Sequence, residues 1–232
     1  MLTLTDFPIT KRWPAAHPDR IQVYSNQTAN GIKVHIALEE MGLPYELHRV
    51  PNGPEGTKSP EFLSLNPNNK VPAIIDPSGP DGETVGIFES GAILIYLAQK
   101  TGQLLPSGPA RAATLQWLMF QMSAVGPMLG QLGYFHKNAG SQIEDPRPKE
   151  HFIAEGRRIL AVLEGALEGR AWIVGEFSIA DIAIGSWLIW LDFYGTKGVL
   201  GWDDNPNLVD YMARYTARPA VQKGRSVPER SF

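Results

Sequence analysis

The first regular pattern along the chain is a short apolar run, Ile21, Val23 and Tyr24, which halts at Ser25-Asn26-Gln27-Thr28 and predicts a buried strand. Asn30-Gly31 turns the chain into residues 32–41, where Ile32 and Ile36 lie one helical turn apart and Gly42 is a stop signal. Residues 45–50 alternate Tyr45, Leu47 and the stem of Arg49 against Glu46 and His48, a strand period, and Pro51, Gly53, Pro54 and Gly56 mark the loop that follows. A short helical stretch over 60–65 leads through Asn66-Pro67-Asn68-Asn69-Lys70-Val71-Pro72 to a third strand at Ala73-Ile74-Ile75. Residues 77–82, rich in Pro and Gly, turn into a fourth strand over 84–88, and residues 90–100 form an apolar helix closed by Gly102.

From Pro106 onward only helical periods remain. Leu115, Leu118, Met119 and Met122 recur at i, i+3, i+4, i+7, and Ile159, Leu160, Leu163 and Leu167 repeat that spacing, so each segment presents one apolar stripe. Residues 182–191 are apolar nearly all round, the mark of a central buried helix, whereas Leu208, Tyr211, Met212 and Tyr215 make another one-sided stripe that ends near Pro219. Gly126 and Gly130 offer a close-packing face, either to a neighbouring helix or to a second subunit. Residues 1–20, with Pro8, Pro14 and Pro18 and no period, read as an extended arm.

Composition narrows the chemistry. The 232 residues hold no cysteine, which removes disulfides, thiolate metal sites, a cysteine nucleophile and a CxxC redox pair. With 21 Lys+Arg against 24 Asp+Glu the net charge is −3, so no basic excess argues for nucleic acid as a partner. Residues 1–14 lack a signal-peptide core and no apolar run reaches the roughly 18 residues of a membrane span, so a cytoplasmic protein without membrane association is expected. The histidines at 17, 35, 48, 136 and 151 lack paired-ligand spacing, and no metal is expected. GxGxxG, GxxxxGK[ST] and GxSxG are absent.

Four constellations are left. Thr28-Ala29-Asn30-Gly31 stands where a strand gives way to a helix, so its polar groups serve either as helix caps or as donors to an anion such as a thiolate. Val71-Pro72 opens a strand; with a cis bond the Val71 backbone turns outward and pairs with an extended ligand, and with a trans bond it is an ordinary strand start. Glu89-Ser90 suits either a capping Ser beside a solvated acid or a site for an ammonium and a carboxylate at one end of an amino acid. Ser178 and Asp181 have capping-box spacing, and Phe177 with Ile182 has that of a hydrophobic staple, which makes this fourth element structural.

The order of these elements, with Val71-Pro72 and Glu89-Ser90-Gly91-Ala92 in register and Ser178-Ile179-Ala180-Asp181 in the helical half, resembles the cytosolic glutathione transferases over about 200 residues. Within them, Thr28-Ala29-Asn30-Gly31, Pro67 to Pro72, Phe88 to Leu94, Leu115-Gln116-Trp117 and Gly126 to Gln131 look like the bacterial Nu class, except that the family usually has Thr-Pro-Asn where this chain has Thr28-Ala29-Asn30. The resemblance implies an α/β thioredoxin-like N-terminal domain over 21–102, a four-stranded mixed sheet with helices. A linker over 103–107 and an all-α C-terminal domain over 108–232 follow.

It also implies roles. Glu89 and Ser90 would hold a γ-glutamyl group, the Val71 backbone before Pro72 would pair with the cysteinyl unit, and Lys70 with Asn69 would reach the glycyl carboxylate. Thr28 and Asn30, beside the sulfur, would be the catalytic pair. The second substrate, a small electrophile or a disulfide, would meet Trp117, Gln121, Met128 and Tyr134. The expected protein is a homodimeric, glutathione-dependent enzyme that performs thiol–disulfide exchange, conjugation, or both; the competing reading is a non-catalytic binding or regulatory module of the same fold.

Overall fold

The computed structural model describes residues 2–228, and the part of the expected helical domain at 229–232 lies outside them. Two compact units are present. The first runs to Thr101 and takes in the segment from Pro219; the second is Gly102–Arg218.

In the first unit, β1 (Ile21–Ser25), β2 (Tyr45–Arg49), β3 (Ala73–Asp76) and β4 (Val85–Phe88) form one mixed sheet in the order β2-β1-β3-β4. β1 pairs parallel to β2 and antiparallel to β3, which pairs antiparallel to β4. Every residue of β1 is buried, as its central place in the sheet requires. Gln22 and Ser25 are its buried polar residues, and the needs of Gln22 are met: its Oε1 lies 2.7 Å from His48 Nε2, and its Nε2 donates to the carbonyls of His17 and Arg20 at 2.8 Å each. The helices are α1 (Gly31–Glu40), α2 (Pro60–Leu65) and α3 (Ser90–Thr101), and α1 ends as its Gly42 signal predicts, with Gly42 at φ 65° and the Leu43 amide bonded to the Leu38 carbonyl at 3.0 Å.

The segment before β1 is not simply extended. It winds into short 3-10 turns at Leu4–Asp6 and Pro8–Lys11, and Ile9 is fully buried in a cluster with Tyr24, Val50, Phe62, Leu65, Ala73 and Ile75. Leu4, Phe7 and Trp13 pack on that cluster, so the arm's apolar residues complete a core beside the sheet.

The second unit is helical: α4 (Gly108–Phe120), α5 (Gly126–His136), α6 (Arg147–Ala166), α7 (Ile179–Tyr194), α8 (Lys197–Leu200) and α9 (Pro206–Ala217). A π-helical turn, Gln121–Val125, joins α4 to α5. Pro127 accounts for it, because proline has no N–H to offer and its ring needs room from the carbonyl four residues back. α7 is the buried centre, with Trp187 packed on Gly126 and Gly130, where added Cβ atoms would stand 3.5 and 3.2 Å from its ring. The glycine face therefore serves a neighbouring helix of this chain. At the start of α7 the capping box is formed, and the Phe177 ring meets Trp172 and the Arg218 guanidinium.

The last helix departs from the sequence reading, which runs the helical domain on to 232. α10 (Pro219–Gly224) packs on α1, and at Gly224 a Cβ would stand 2.6 Å from the Ile36 amide nitrogen. Helical periodicity identifies a helix but not the layer it joins. Among the described residues no helix is long and apolar enough to cross a membrane, and no cluster of three or more His, Asp or Glu is arranged to hold a metal ion.

Candidate functional site

The sheet register decides which loops meet. Ala73 pairs with Tyr24 on one side and Phe88 on the other, so the end of β1, the start of β3 and the end of β4 share one edge of the sheet. The segments at those three ends carry Thr28 and Asn30, then Asn69, Lys70, Val71 and Pro72, then Glu89 and Ser90. Eight positions scattered over 63 residues of sequence thus gather at one end of the first unit.

At the first segment the chain enters α1 so tightly that a Cβ on Gly31 would stand 2.0 Å from the Asn26 carbonyl oxygen. Only glycine fits. Thr28 Oγ1 accepts the Gly31 N–H at 3.0 Å, and the Thr28 carbonyl accepts the Ile32 N–H at 3.0 Å. The hydroxyl oxygen caps the helix while its proton still has a direction to donate in, so the capping and thiolate-donor readings of Thr28 are compatible. Asn30, half-buried, directly precedes the first helical residue. Tyr24 is fully buried against Trp13 and stacks on His48 at 4.8 Å; burial pushes its hydroxyl well above the ordinary tyrosine range. It is a packing residue of the sheet.

Asn66 ties down the second segment. It is buried, donates from Nδ2 to the Lys70 carbonyl at 2.5 Å, and accepts the Asn68 N–H at 3.0 Å. Asn69 follows in the left-handed region at φ 50°, which asparagine tolerates better than most residues. Asn69 and Lys70 are exposed, the Val71 side chain packs on the Ile75 cluster, Pro72 is buried, and the Val71–Pro72 peptide is cis.

At the third segment the Ile93 N–H bonds to the Glu89 carbonyl at 3.0 Å, so Glu89 holds the cap position and Ser90 is the first residue of α3. Ser90 is therefore not the cap that its residue type suggests. Glu89 is exposed and has φ 72°, a backbone conformation that costs a non-glycine residue on the order of 1–3 kcal/mol and concentrates at functional sites. Ser90 is buried, and its Oγ lies 3.3 Å from Nζ of Lys33, a fully buried residue of α1. Burial brings the Lys33 ammonium down to about 7, opposed by the charge of Glu89.

The edge thus presents a carboxylate at Glu89, a cation at Lys70, and the starts of α1 and α3. A small peptide with an ammonium, a carboxylate at each end and an anionic centre between them has a counterpart for each group. The sequence model of the glutathione S-transferase N-terminal domain matches residues 29–100, and that of the glutathione S-transferase C-terminal domain matches residues 124–214. The chain belongs to the glutathione S-transferase family.

Its relatives within the family are close. The chain is 47% identical over 205 residues to the disulfide-bond oxidoreductase YfcG of Escherichia coli (strain K12), a match spanning 87% of this chain and 92% of that protein. A glutathione transferase from Burkholderia graminis, crystallised with two glutathione molecules bound per subunit, is 56% identical with a TM-score of 0.96, covering 100% of this chain and 98% of that one. A glutathione transferase from Pseudomonas putida, with one glutathione disulfide bound per subunit, is 50% identical with a TM-score of 0.96, covering 98% and 100%. These likenesses also bear out the expected pairing of a mixed four-stranded sheet domain with a helical one.

The four residues expected at the second substrate lie along α4, the π-helical turn and α5. Trp117 and Gln121 stand one turn apart across the end of α4, half-buried and buried, and Trp117 packs edge-on to Phe120. Met128 and Tyr134 are six residues apart on α5, so they leave that helix about 120° apart. Tyr134 covers Gly140, where a Cβ would stand 2.6 Å from its ring. Two residues that support this sheet edge, Asn66 and Lys33, do not stand out as candidates in the sequence reading. Asn66 was detectable as an Asn-Pro turn former. Lys33 was detectable as a charged residue placed between the apolar positions Ile32 and Ile36.

Proposed function

We propose that this glutathione S-transferase takes glutathione or glutathione disulfide as cosubstrate and catalyses thiol–disulfide exchange, with conjugation to small electrophiles as a second use of the same thiolate. One observation carries the reading: Thr28, its oxygen engaged by Gly31 and its proton left to donate, shares a sheet edge with Glu89 and Ser90 in a chain that has no cysteine. In this reading Glu89 receives the γ-glutamyl ammonium and Ser90 its carboxylate. The Val71 backbone, ahead of Pro72, pairs with the cysteinyl unit, and Lys70 with Asn69 meets the glycyl carboxylate. Thr28 and Asn30 donate to the sulfur. The names and bound ligands of the relatives support the same chemistry.

A free thiol titrates near 8.5, and lowering it by one unit raises the thiolate from about a tenth to about half at pH 7.5. Two glutathiones supply both electrons: one thiolate opens the substrate disulfide and forms a mixed disulfide, and the second displaces the remaining substrate thiol to leave glutathione disulfide. Because the protein offers no thiol, its residues only bind, orient and donate protons. The working form is proposed to be a cytoplasmic homodimer, with Trp117, Gln121, Met128 and Tyr134 as second-substrate contacts.

Steady-state turnover of a disulfide and of a haloarene, measured in parallel with glutathione, tests the reading. Thr28→Ala and Asn30→Ala should each lower disulfide turnover by about tenfold or more, equivalent to about 1.4 kcal/mol of transition-state stabilisation. Wild-type rates in both variants would sink the assignment. Retention on immobilised glutathione with no turnover of either substrate would favour a binding module.

A further inference from the structure

Lys33 is fully buried, although lysine is among the residues least often buried without a partner. It is also the third residue of α1, at the end of the helix where the dipole disfavours a cation. Both effects work against a charged amine here, so apolar packing alone does not explain a lysine at this position. What it faces does: its Nζ lies 3.3 Å from Ser90 Oγ, and Glu89 is the charged group coupled to it.

We propose that Lys33 is a positioning residue for the γ-glutamyl end of glutathione, acting through Ser90. An ammonium has only donors, so Ser90 Oγ must accept from it, and the Ser90 proton is then turned toward the ligand's α-carboxylate. A neutral amine has a lone pair, accepts the Ser90 proton and turns it away from the ligand. Burial holds Lys33 near the point where both forms coexist at neutral pH, and the arriving carboxylate favours the charged one. The inference rests on the glutathione site proposed above and adds to it a residue that touches no ligand.

The test uses Lys33→Met, which keeps the length of the side chain and replaces a buried charge with apolar atoms, an exchange cores commonly tolerate. Binding of glutathione is compared with binding of 4-aminobutanoyl-cysteinylglycine, which lacks only the α-carboxylate. Charge-assisted hydrogen bonds contribute about 1.5–3 kcal/mol, so Lys33→Met should weaken glutathione about 10- to 100-fold, read in KM rather than kcat. The analogue should bind wild type and variant alike, within about threefold. Adding Ser90→Ala to Lys33→Met should weaken glutathione no further than Ser90→Ala alone does.

Wild-type affinity for glutathione in Lys33→Met overturns the inference, as does an equal loss for glutathione and analogue. Failure of the wild-type protein to bind glutathione, or to prefer it over the analogue, overturns the glutathione site itself and the inference with it.

Discussion

Hydroxyl and carboxylate groups at helix starts are put to opposite uses at α7, where Ser178 and Asp181 share one helix, and at the sheet edge, where Thr28 precedes α1 and Glu89 precedes α3. At α7, Asp181 is fully buried and accepts from the Ile173 N–H at 3.0 Å, the Ser178 N–H at 2.9 Å and the Ser178 hydroxyl at 3.1 Å. Every group there is engaged within the chain. At the sheet edge, the Thr28 oxygen is engaged by Gly31 but its proton is not committed by that bond, and Glu89 is exposed on a backbone of positive φ. The same residue types are saturated at α7 and keep unused hydrogen-bonding capacity at the sheet edge, where the ligand is proposed to bind. What separates them is whether the cap uses up its hydrogen-bonding capacity, which residue type alone does not determine.

The sharpest way to break the comparison is Asp181→Ala. It strands two buried backbone donors at about 1–3 kcal/mol each, so a loss of about 3 kcal/mol in chemical denaturation is expected. The folded fraction should keep its KM for glutathione. A loss under about 1 kcal/mol would mean that the α7 cap is not the saturated network its distances describe.

The next effect is a dependence on pH. Burial pushes the Asp181 carboxyl up to about 6 against the pull of its hydrogen bonds, while an unfolded Asp titrates near 3.9. Because the folded value is the higher one, the folded state holds a proton that the unfolded chain has lost between about pH 4 and 6. This contribution is present in full below the window and disappears as pH rises through it, a change of about 1–3 kcal/mol. The stability of wild type minus that of Asp181→Asn should therefore fall from pH 4 to 7. A difference that stays flat over that range would refute the burial argument.

Much of this contrast was legible in the chain, and the remainder has physical causes. The strands, α1 with its Gly42 stop, and the box at Ser178 and Asp181 follow from local spacing, which the sequence displays directly. The meeting of Thr28, Val71 and Glu89 needed the sheet order, which came from resemblance to a family rather than from periodicity. The membership of α10 in the first unit depends on the contact of Gly224 with Ile36, and one glycine in a sequence does not reveal its partner. Ser90 looked like a cap because serine is a common one; the positive φ of Glu89 moves the helix start back by one residue. Lys33 does not stand out in the sequence because the hydrophobic period of α1 accounts for its neighbours, and Ser90, which it contacts, lies 57 residues away.

The smallest expected effect is the most discriminating for the sheet edge. Thr28→Ser keeps both the oxygen that accepts the Gly31 N–H and the proton proposed for the sulfur, and serine caps helices about as well as threonine. Stability should change by less than about 0.5 kcal/mol and disulfide turnover by less than about threefold. Thr28→Val is the control, since it preserves the branched shape and removes the hydroxyl. If Thr28 only caps α1, both variants should keep kcat and Thr28→Val should lose only the stability of the cap. If the proton serves the thiolate, Thr28→Val should lose turnover as Thr28→Ala does, and its pH–rate profile should shift to higher pH, because the sulfur then ionises nearer its free value. Equal rates and equal profiles in the serine and valine variants would make the sheet edge a closed cap like that of α7, and the contrast between the two helix starts would be lost.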